Sequence, residues 1–385
     1  MKDGRLCAHA LIMPGHSDSP RAHMPTWPQR PIEQQRRRRA KPSVAPMTER
    51  KILTVRSPED ILALVPYVMG FVPEDSLVLL THGEVGEPFH ARVDLPDDPA
   101  DLDLVIHPLV EAALGNGARK AVIVVYTDDH GLALEAQEEL LVRLLEVGVT
   151  TSISLRADGH HYFVLDDPEV PPRAYDVDAH PIAAQAVYDG RVTYRNRREL
   201  SDSLVTADPE AVERVATLCD ASLDKLLAIA RHPLGPAAPE ALRAHMVGEG
   251  RWALDRTGEA VADGGVLEDE ELARLLNALL SPEVRDVLWA EIQRLGARKY
   301  VTFWTDVVRR APLDFSAPPA ALLAFAAWMA GEGALAWCAL DRCRAADPGY
   351  TMATLVESAL QAAMPPGAWK GIDPGALTLF AERTG

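Results

Sequence analysis

At 385 residues the chain is long enough for two domains with buried cores, on a scale of about 100–200 residues per domain. Its formal charge of −17 conceals an asymmetry: residues 1–46 hold nine Lys/Arg against three Asp/Glu, leaving 30 basic and 53 acidic residues, a difference of −23, in the rest. A body so acidic repels phosphate backbones and anionic lipid, which argues against nucleic acid as a partner of the folded part.

Residues 1–46 contain seven prolines and the run Arg36-Arg37-Arg38-Arg39, with neither helical nor strand periodicity, and are expected to be disordered. Two readings of that run stand side by side. It is a nucleic-acid or membrane-contacting tail, or translation starts at Met47 and the segment is a mis-annotated leader; basic runs in unstructured tails are common and non-specific, which favours the second.

From Ile52 to Leu165 strands and helices alternate. The pattern predicts strands at Ile52–Val55, Leu77–Leu80, His90–Leu95, Ala121–Tyr126, Ser152–Leu155 and Tyr162–Leu165, and helices near Pro58–Met69, Leu102–Leu114 and Leu132–Glu146. The first helix is the best marked: Ser57 suits the N-cap, Pro58 the first turn, Asp60 the reciprocal capping position, and Gly70 the stop. The order strand, helix, strand, strand occurs twice, so a tandem βαββ duplication forming a mixed sheet is expected over residues 47–172.

Beyond Pro168 the strand signals end. Asp208-Pro209-Glu210 and Ser281-Pro282-Glu283 repeat the cap, Pro, acid pattern, and residues 173–385 are expected to form an α-helical domain. Six of the seven tryptophans lie there (Trp252, Trp289, Trp304, Trp328, Trp337 and Trp369), a distribution that reads as core packing before ligand cage. Leu322 to Leu360 resembles one tetratricopeptide-like helix pair, with Leu323 and Ala324 in the first helix, Ala336 and Leu340 in the second and Pro348 ending it. A single unit of that kind packs on neighbouring helices instead of building an array.

Cys7, Cys219, Cys338 and Cys343 show no CxxC spacing, and Cys338 and Cys343 fall about 140° apart round a helix, so reduced thiols in a cytoplasmic protein are the reading. No run approaches the ~18 apolar residues of a membrane span, and the N-terminus lacks the apolar core of a signal peptide. No membrane partner is expected.

Three segments together carry a family resemblance: Pro66-Tyr67-x-x-Gly70-Phe71-x-Pro73-x-x-Ser76-Leu77-Val78; His180-Pro181-Ile182-Ala183-Ala184-Gln185-Ala186-Val187-Tyr188-Asp189-Gly190-Arg191; and Gly331-Glu332-Gly333-Ala334-Leu335-Ala336 followed by Asp347-Pro348-Gly349-Tyr350. From about residue 50 to residue 370 the chain resembles a bacterial family known as domain of unknown function 4192. The resemblance implies cysteines in the Asp-Asp-Pro loop, whereas this chain reads Leu165-Asp166-Asp167-Pro168-Glu169-Val170-Pro171-Pro172, so no thiol chemistry carries over. It implies no activity.

The chemistry-bearing candidates are few. Asp128-Asp129-His130 follows the strand Ala121–Tyr126, where open α/β sheets bind ligands; two carboxylates and an imidazole there suit a hard divalent cation or acid–base work, with His160, His161 or His180 arriving from elsewhere. Against this, Thr127, Asp128 or Asp129 serves as a helix cap. Arg195, Arg197 and Arg198 form a local basic patch that suits an anion, or pair with neighbouring acids. His107 and His180, each before a proline, read as solvated or capping residues. Asn116-Gly117 reads as a helix stop, and no G-x-G-x-x-G, Gly-Lys-Ser/Thr or G-x-S-x-G motif is present. No cofactor and no metal centre are expected. The sequence thus points to an α/β domain followed by a helical domain in a non-catalytic interaction or regulatory protein, contacting a protein partner through the helical part. The alternative is a metal-assisted or acid–base enzyme built on Asp128, Asp129 and His130; nucleic-acid binding would run only through Arg36–Arg39.

Overall fold

The computed structural model describes residues 55–82, 89–231, 238–372 and 377–380, with backbone alone at 82, 224–231, 238 and 239. The Arg36–Arg39 run and all but Val55 of the first expected strand lie outside the described residues, and Val55 is not in a strand.

Helix α1 (Pro58–Met69) forms for the local reasons its sequence announces. Ser57 Oγ accepts from the Asp60 N–H at 3.2 Å, the Asp60 carboxylate accepts from the N–H groups of Ser57 and Arg56 at 3.2 and 2.7 Å, and Gly70 closes the helix at φ 81°. Strands β1 (Ser76–His82) and β2 (His90–Asp94) pair as an antiparallel ladder. Helix α2 (Leu102–Gly115) runs unbroken through Pro108 and leads to β3 (Lys120–Tyr126); α3 (His130–Glu146) then crosses over to β4 (Thr150–Ala157), which lies parallel to β3. β5 (His161–Val164) returns antiparallel to β4. The sheet is mixed, in the order β2-β1-β3-β4-β5-β6, and Ser76–Thr81 of β1 are buried, as befits a strand covered on both faces.

Two features differ from the sequence expectation. The sixth strand, β6 (Arg173–Ala174), is two exposed residues long and carries no periodicity to read. The βαββ duplication fails at the pairing: β4 lies between its own unit's first and third strands, β3 and β5, whereas β1 lies between β2 and β3, so no edge of β1 is left for a preceding strand. The expected division after residue 172 falls between β5 and β6 of this one sheet. Helix α4 (Pro181–Tyr188) also packs on α1, and Tyr194 exchanges backbone hydrogen bonds with Gly70 and Val72.

Helices fill the remainder: α5 (Arg197–Asp202), α6 (Pro209–Arg231), α7 (Ala238–Asp263), α8 (Asp269–Ala278), α9 (Pro282–Glu291), α10 (Ala297–Arg310), α11 (Ala317–Ala330), α12 (Gly333–Ala346) and α13 (Thr351–Gln361). Asp208 caps α6 by accepting from Ala211, while Ser281 precedes α9 without a side-chain cap bond. Every residue of α11 from Ala317 to Met329 is buried, because α10, α12 and α13 pack around it; a helix apolar on all sides is a core helix. Phe325 stands edge-on to Trp289, Trp328 and Trp369 at 5.5, 5.7 and 5.3 Å, so these rings fill a core with one another. The apolar core is continuous from Ile61 to Leu379. No helix among the described residues is long and apolar enough to cross a membrane.

Candidate functional site

Asp128, Asp129 and His130 follow the carboxyl end of β3, and all three are exposed. Asp129 is the N-cap of α3, its Oδ1 accepting from the Leu132 N–H at 3.1 Å. The turn is pinned from below by Arg156 of β4. This buried guanidinium lies 3.8 Å from the Phe163 ring centre and donates through Nη1 to the carbonyls of Thr127 and Asp128, at 3.1 and 3.2 Å. His160 and His161 sit at the β4–β5 turn, their N–H groups held by the Asp158 carboxylate at 2.9 and 2.7 Å. That carboxyl lies below its ordinary value: burial alone raises it, but these donated bonds and the charge of His161 outweigh the burial. Among the described residues no three His, Cys, Asp or Glu side chains are placed to share a metal ion.

The expected basic patch disperses. Arg197 bonds Asp341 of α12 at 3.2 Å, Arg198 lies 3.7 Å from Asp202 on its own helix, and Arg195 takes part through its backbone N–H, donating to Glu199. His180 is a cap, Nδ1 accepting from the Ile182 N–H at 3.3 Å; its Nε2 lies 3.1 Å from Asp60 Oδ1.

That His180–Asp60 contact is one end of a more informative arrangement. At the other end of the same two helices, Tyr67 donates its hydroxyl to Asp189 Oδ2 at 2.9 Å. Residue 60 meets 180 and residue 67 meets 189, so α1 and α4 run parallel and are tied at both ends. Gln185 donates to the second oxygen of Asp189 at 2.6 Å. Arg191, two residues on, donates Nη1 to the Tyr67 carbonyl at 2.9 Å and lies 4.4 Å over the Tyr67 ring. From the helical part come Arg298 of α10 and Glu332, in the turn between α11 and α12, with Arg298 Nε 3.6 Å from Glu332 Oε1.

Burial and then the neighbouring Arg298 lower the Arg191 guanidinium below its ordinary value. Burial raises the Glu332 carboxyl against the opposing pull of Arg298 and Arg191, and burial raises the Tyr67 phenol. A phenol raised above 10 is no base at neutral pH, so the cluster suits recognition by donated hydrogen bonds and charge, not proton abstraction.

Sequence reasoning quoted Tyr67, Asp189, Arg191 and Glu332 only as marks of resemblance and missed Arg298. The available signal was that all three resemblance segments carry a charged or phenolic residue within three positions of a glycine. Large apolar side chains are exposed beside the cluster: Val187, Tyr188 and Val192, at 76%, 82% and 65%. A separate groove of about 750 Å³ between α2 and α3 is lined by Glu111, Glu135, Glu138, Glu139 and Glu146; its Arg143 is paired with Asp103 and Glu139.

No curated protein and no solved structure matches the chain. Residues 58–367, which include all three resemblance segments and every residue of the Tyr67–Arg191–Glu332 cluster, match the family described as Domain of unknown function (DUF4192), and the chain belongs to that family.

Proposed function

We propose that this is a non-catalytic interaction or regulatory protein of the cytoplasm. Its contact surface is the junction where the α1–α4 pair meets the turns of the helical part, with the partner a protein. The observation that carries the reading is the segment Val187–Val192. Within six residues it exposes two valines and a tyrosine, while its polar members Asp189 and Arg191 are fastened to Tyr67. Exposed apolar side chains scattered singly are ordinary, but an aromatic anchor held among valines on a braced turn is the composition of an interface centre. The turn is pre-organised, so little ordering cost opposes binding.

The tetratricopeptide-like pair α11–α12 serves in this reading as the scaffold: its first helix is buried on all sides, and what it offers outward is the turn bearing Glu332. The free, buried thiols of Cys219 and Cys343 support a reducing compartment.

A photo-crosslinking residue at position 188 tests the proposal, with one at the exposed Leu145 of α3 as control. Discrete protein adducts from position 188 in an extract of the source cells, absent from position 145 and lost in a Val192→Ser background, are the expected result. Identical adduct patterns from both positions, or none, refute it.

A further inference from the structure

Leu377–Phe380 lies in neither helix nor strand, yet Leu379 is fully buried, with Leu377 half-buried and Thr378 and Phe380 exposed. The socket that receives it is built on α7, where Arg243, Val247, Gly250 and Leu254 recur at i, i+4, i+7 and i+11 and so share one face. Gly250 is what lets a leucine in: a Cβ there would overlap the Leu379 side chain and stand 3.6 Å from the Phe380 ring.

Polar contacts fix the register around that leucine. Arg243 Nη2 donates to the carbonyls of Thr378 and Leu379 at 3.0 and 3.4 Å. Thr378 Oγ1 donates to Glu283 Oε1 of α9 at 2.9 Å, and the Arg251 guanidinium lies 5.9 Å from the centre of the Phe380 ring. A hydroxyl at 378, a leucine at 379 and an aromatic ring at 380 are thus each met by a different group. One buried anchor with polar contacts to the flanking main chain is how a groove recognises a short peptide.

The hold is slight for four residues. One side chain is fully buried and one arginine side chain holds both carbonyls, so few contacts oppose the entropy of release, and opening belongs to the low end of local stabilities. The socket lies within residues 58–367, the part that matches the family, and the segment lies beyond it. Socket and occupant are therefore separate pieces of the chain, the first belonging to the matched domain and the second added to it.

We propose that the α7–α9 groove is a peptide-binding site whose ligand is a Thr-Leu-Phe segment, and that Leu377–Phe380 fills it in cis as a latch that opens on the folded chain. Once the latch is open, the groove accepts the same sequence from solution.

Fluorescence anisotropy of a labelled peptide of residues 374–383, titrated with the full chain and its variants, tests the assignment. Leu379→Asp removes the cis anchor and leaves the groove; Leu379→Ala replaces it if the aspartate variant does not fold. The peptide is expected to bind the anchor variant at least about tenfold more tightly than wild type, where the tethered segment competes at an effective concentration of millimolar order. Adding Arg243→Gln or Gly250→Ala to the anchor variant is expected to weaken that binding about tenfold or more, and Gly250→Ala does so while favouring the helix. Hydrogen exchange of the unmodified chain gives a second readout, the Leu379 and Phe380 amides exchanging faster than that of Ala253 in α7. No binding to a folded anchor variant, equal affinity for it and wild type, binding indifferent to both groove substitutions, or protection at Leu379 equal to that at Ala253 overturns the proposal.

Discussion

Replacing Tyr67 by Phe removes one hydroxyl and leaves the rest of the junction in place. The ring stays beneath Arg191, whose own hydrogen bond goes to the Tyr67 backbone carbonyl and is untouched. Asp189 loses the 2.9 Å bond to one oxygen but keeps Gln185 at 2.6 Å on the other, so it is not left as an unpaired charge. The cost is therefore that of one partly buried hydrogen bond to a charged acceptor, about 1–2 kcal/mol, well short of the roughly 3–5 kcal/mol that follows when a buried ion is stripped of its partner. Tyr67→Leu also removes the aromatic face under the guanidinium, worth about 0.5–2 kcal/mol more, for a total of about 1.5–4 kcal/mol. Equilibrium urea denaturation measures both as shifts of the midpoint at constant slope. A cost for Tyr67→Phe below about 0.5 kcal/mol, or one equal to that of Tyr67→Leu, refutes the account, the first by showing that the tie between α1 and α4 contributes nothing and the second by showing that the ring does not hold Arg191.

Three further outcomes are expected. Asp129→Ala costs about 0.5–2 kcal/mol through loss of the α3 cap, while Asp128→Ala and His130→Ala stay within about 0.5 kcal/mol, read by the same denaturation curves. The Glu332 carboxyl is raised above its ordinary 4.5 in the folded chain, so the native state holds its proton more firmly than the unfolded state and stability falls as pH rises through the interval above 4.5. Glu332→Gln removes that term, and its stability relative to wild type therefore improves between pH 4.5 and pH 7; a difference that is flat or of opposite slope would sink the assignment. Burial pushes the thiols of Cys219 and Cys343 up to about 12, so a brief iodoacetamide pulse at pH 8 leaves both unlabelled in the native protein and labels both in urea, as peptide mass spectrometry reads.

Elements whose information is local were legible in the residues. Ser57, Pro58, Asp60 and Gly70 mark α1 from end to end because capping is settled within four residues of each terminus. The strand at Lys120–Tyr126 and the helix at Leu102–Gly115 follow from apolar runs and periods that need no distant partner. Pairing is different. Which strands flank β1 depends on where the chain returns some 40 residues later, and β3 took the edge that a repeated βαββ unit reserves for its own first strand. β6 exists only because β5 offers an edge to two exposed residues. The role of Asp129 was open for a related reason. A carboxylate after a strand is equally suited to a ligand and to a cap, and the backbone of α3 took Asp129 for itself. Consecutive arginines at the start of α5 point about 100° apart round the helix, so Arg197 reaches Asp341 while Arg198 stays with Asp202.

The junction was the least legible part, yet it follows a rule visible in the residues once the geometry is known. Gly70, Gly190 and Gly331 have φ of 81°, 68° and 78°; each ends a helix in the left-handed turn that glycine adopts without steric cost. The carboxyl ends of α1 and α4 meet, and the residues that tie them lie near the glycines: Tyr67 three positions before the first, Asp189 and Arg191 on either side of the second; Glu332, directly after the third, pairs with Arg298. Helix carboxyl ends carry partial negative charge, which explains why arginines gather there and why Arg191 caps the end of α1. The same turn exposes Val187, Tyr188 and Val192, and a turn built to be only a brace needs none of them exposed.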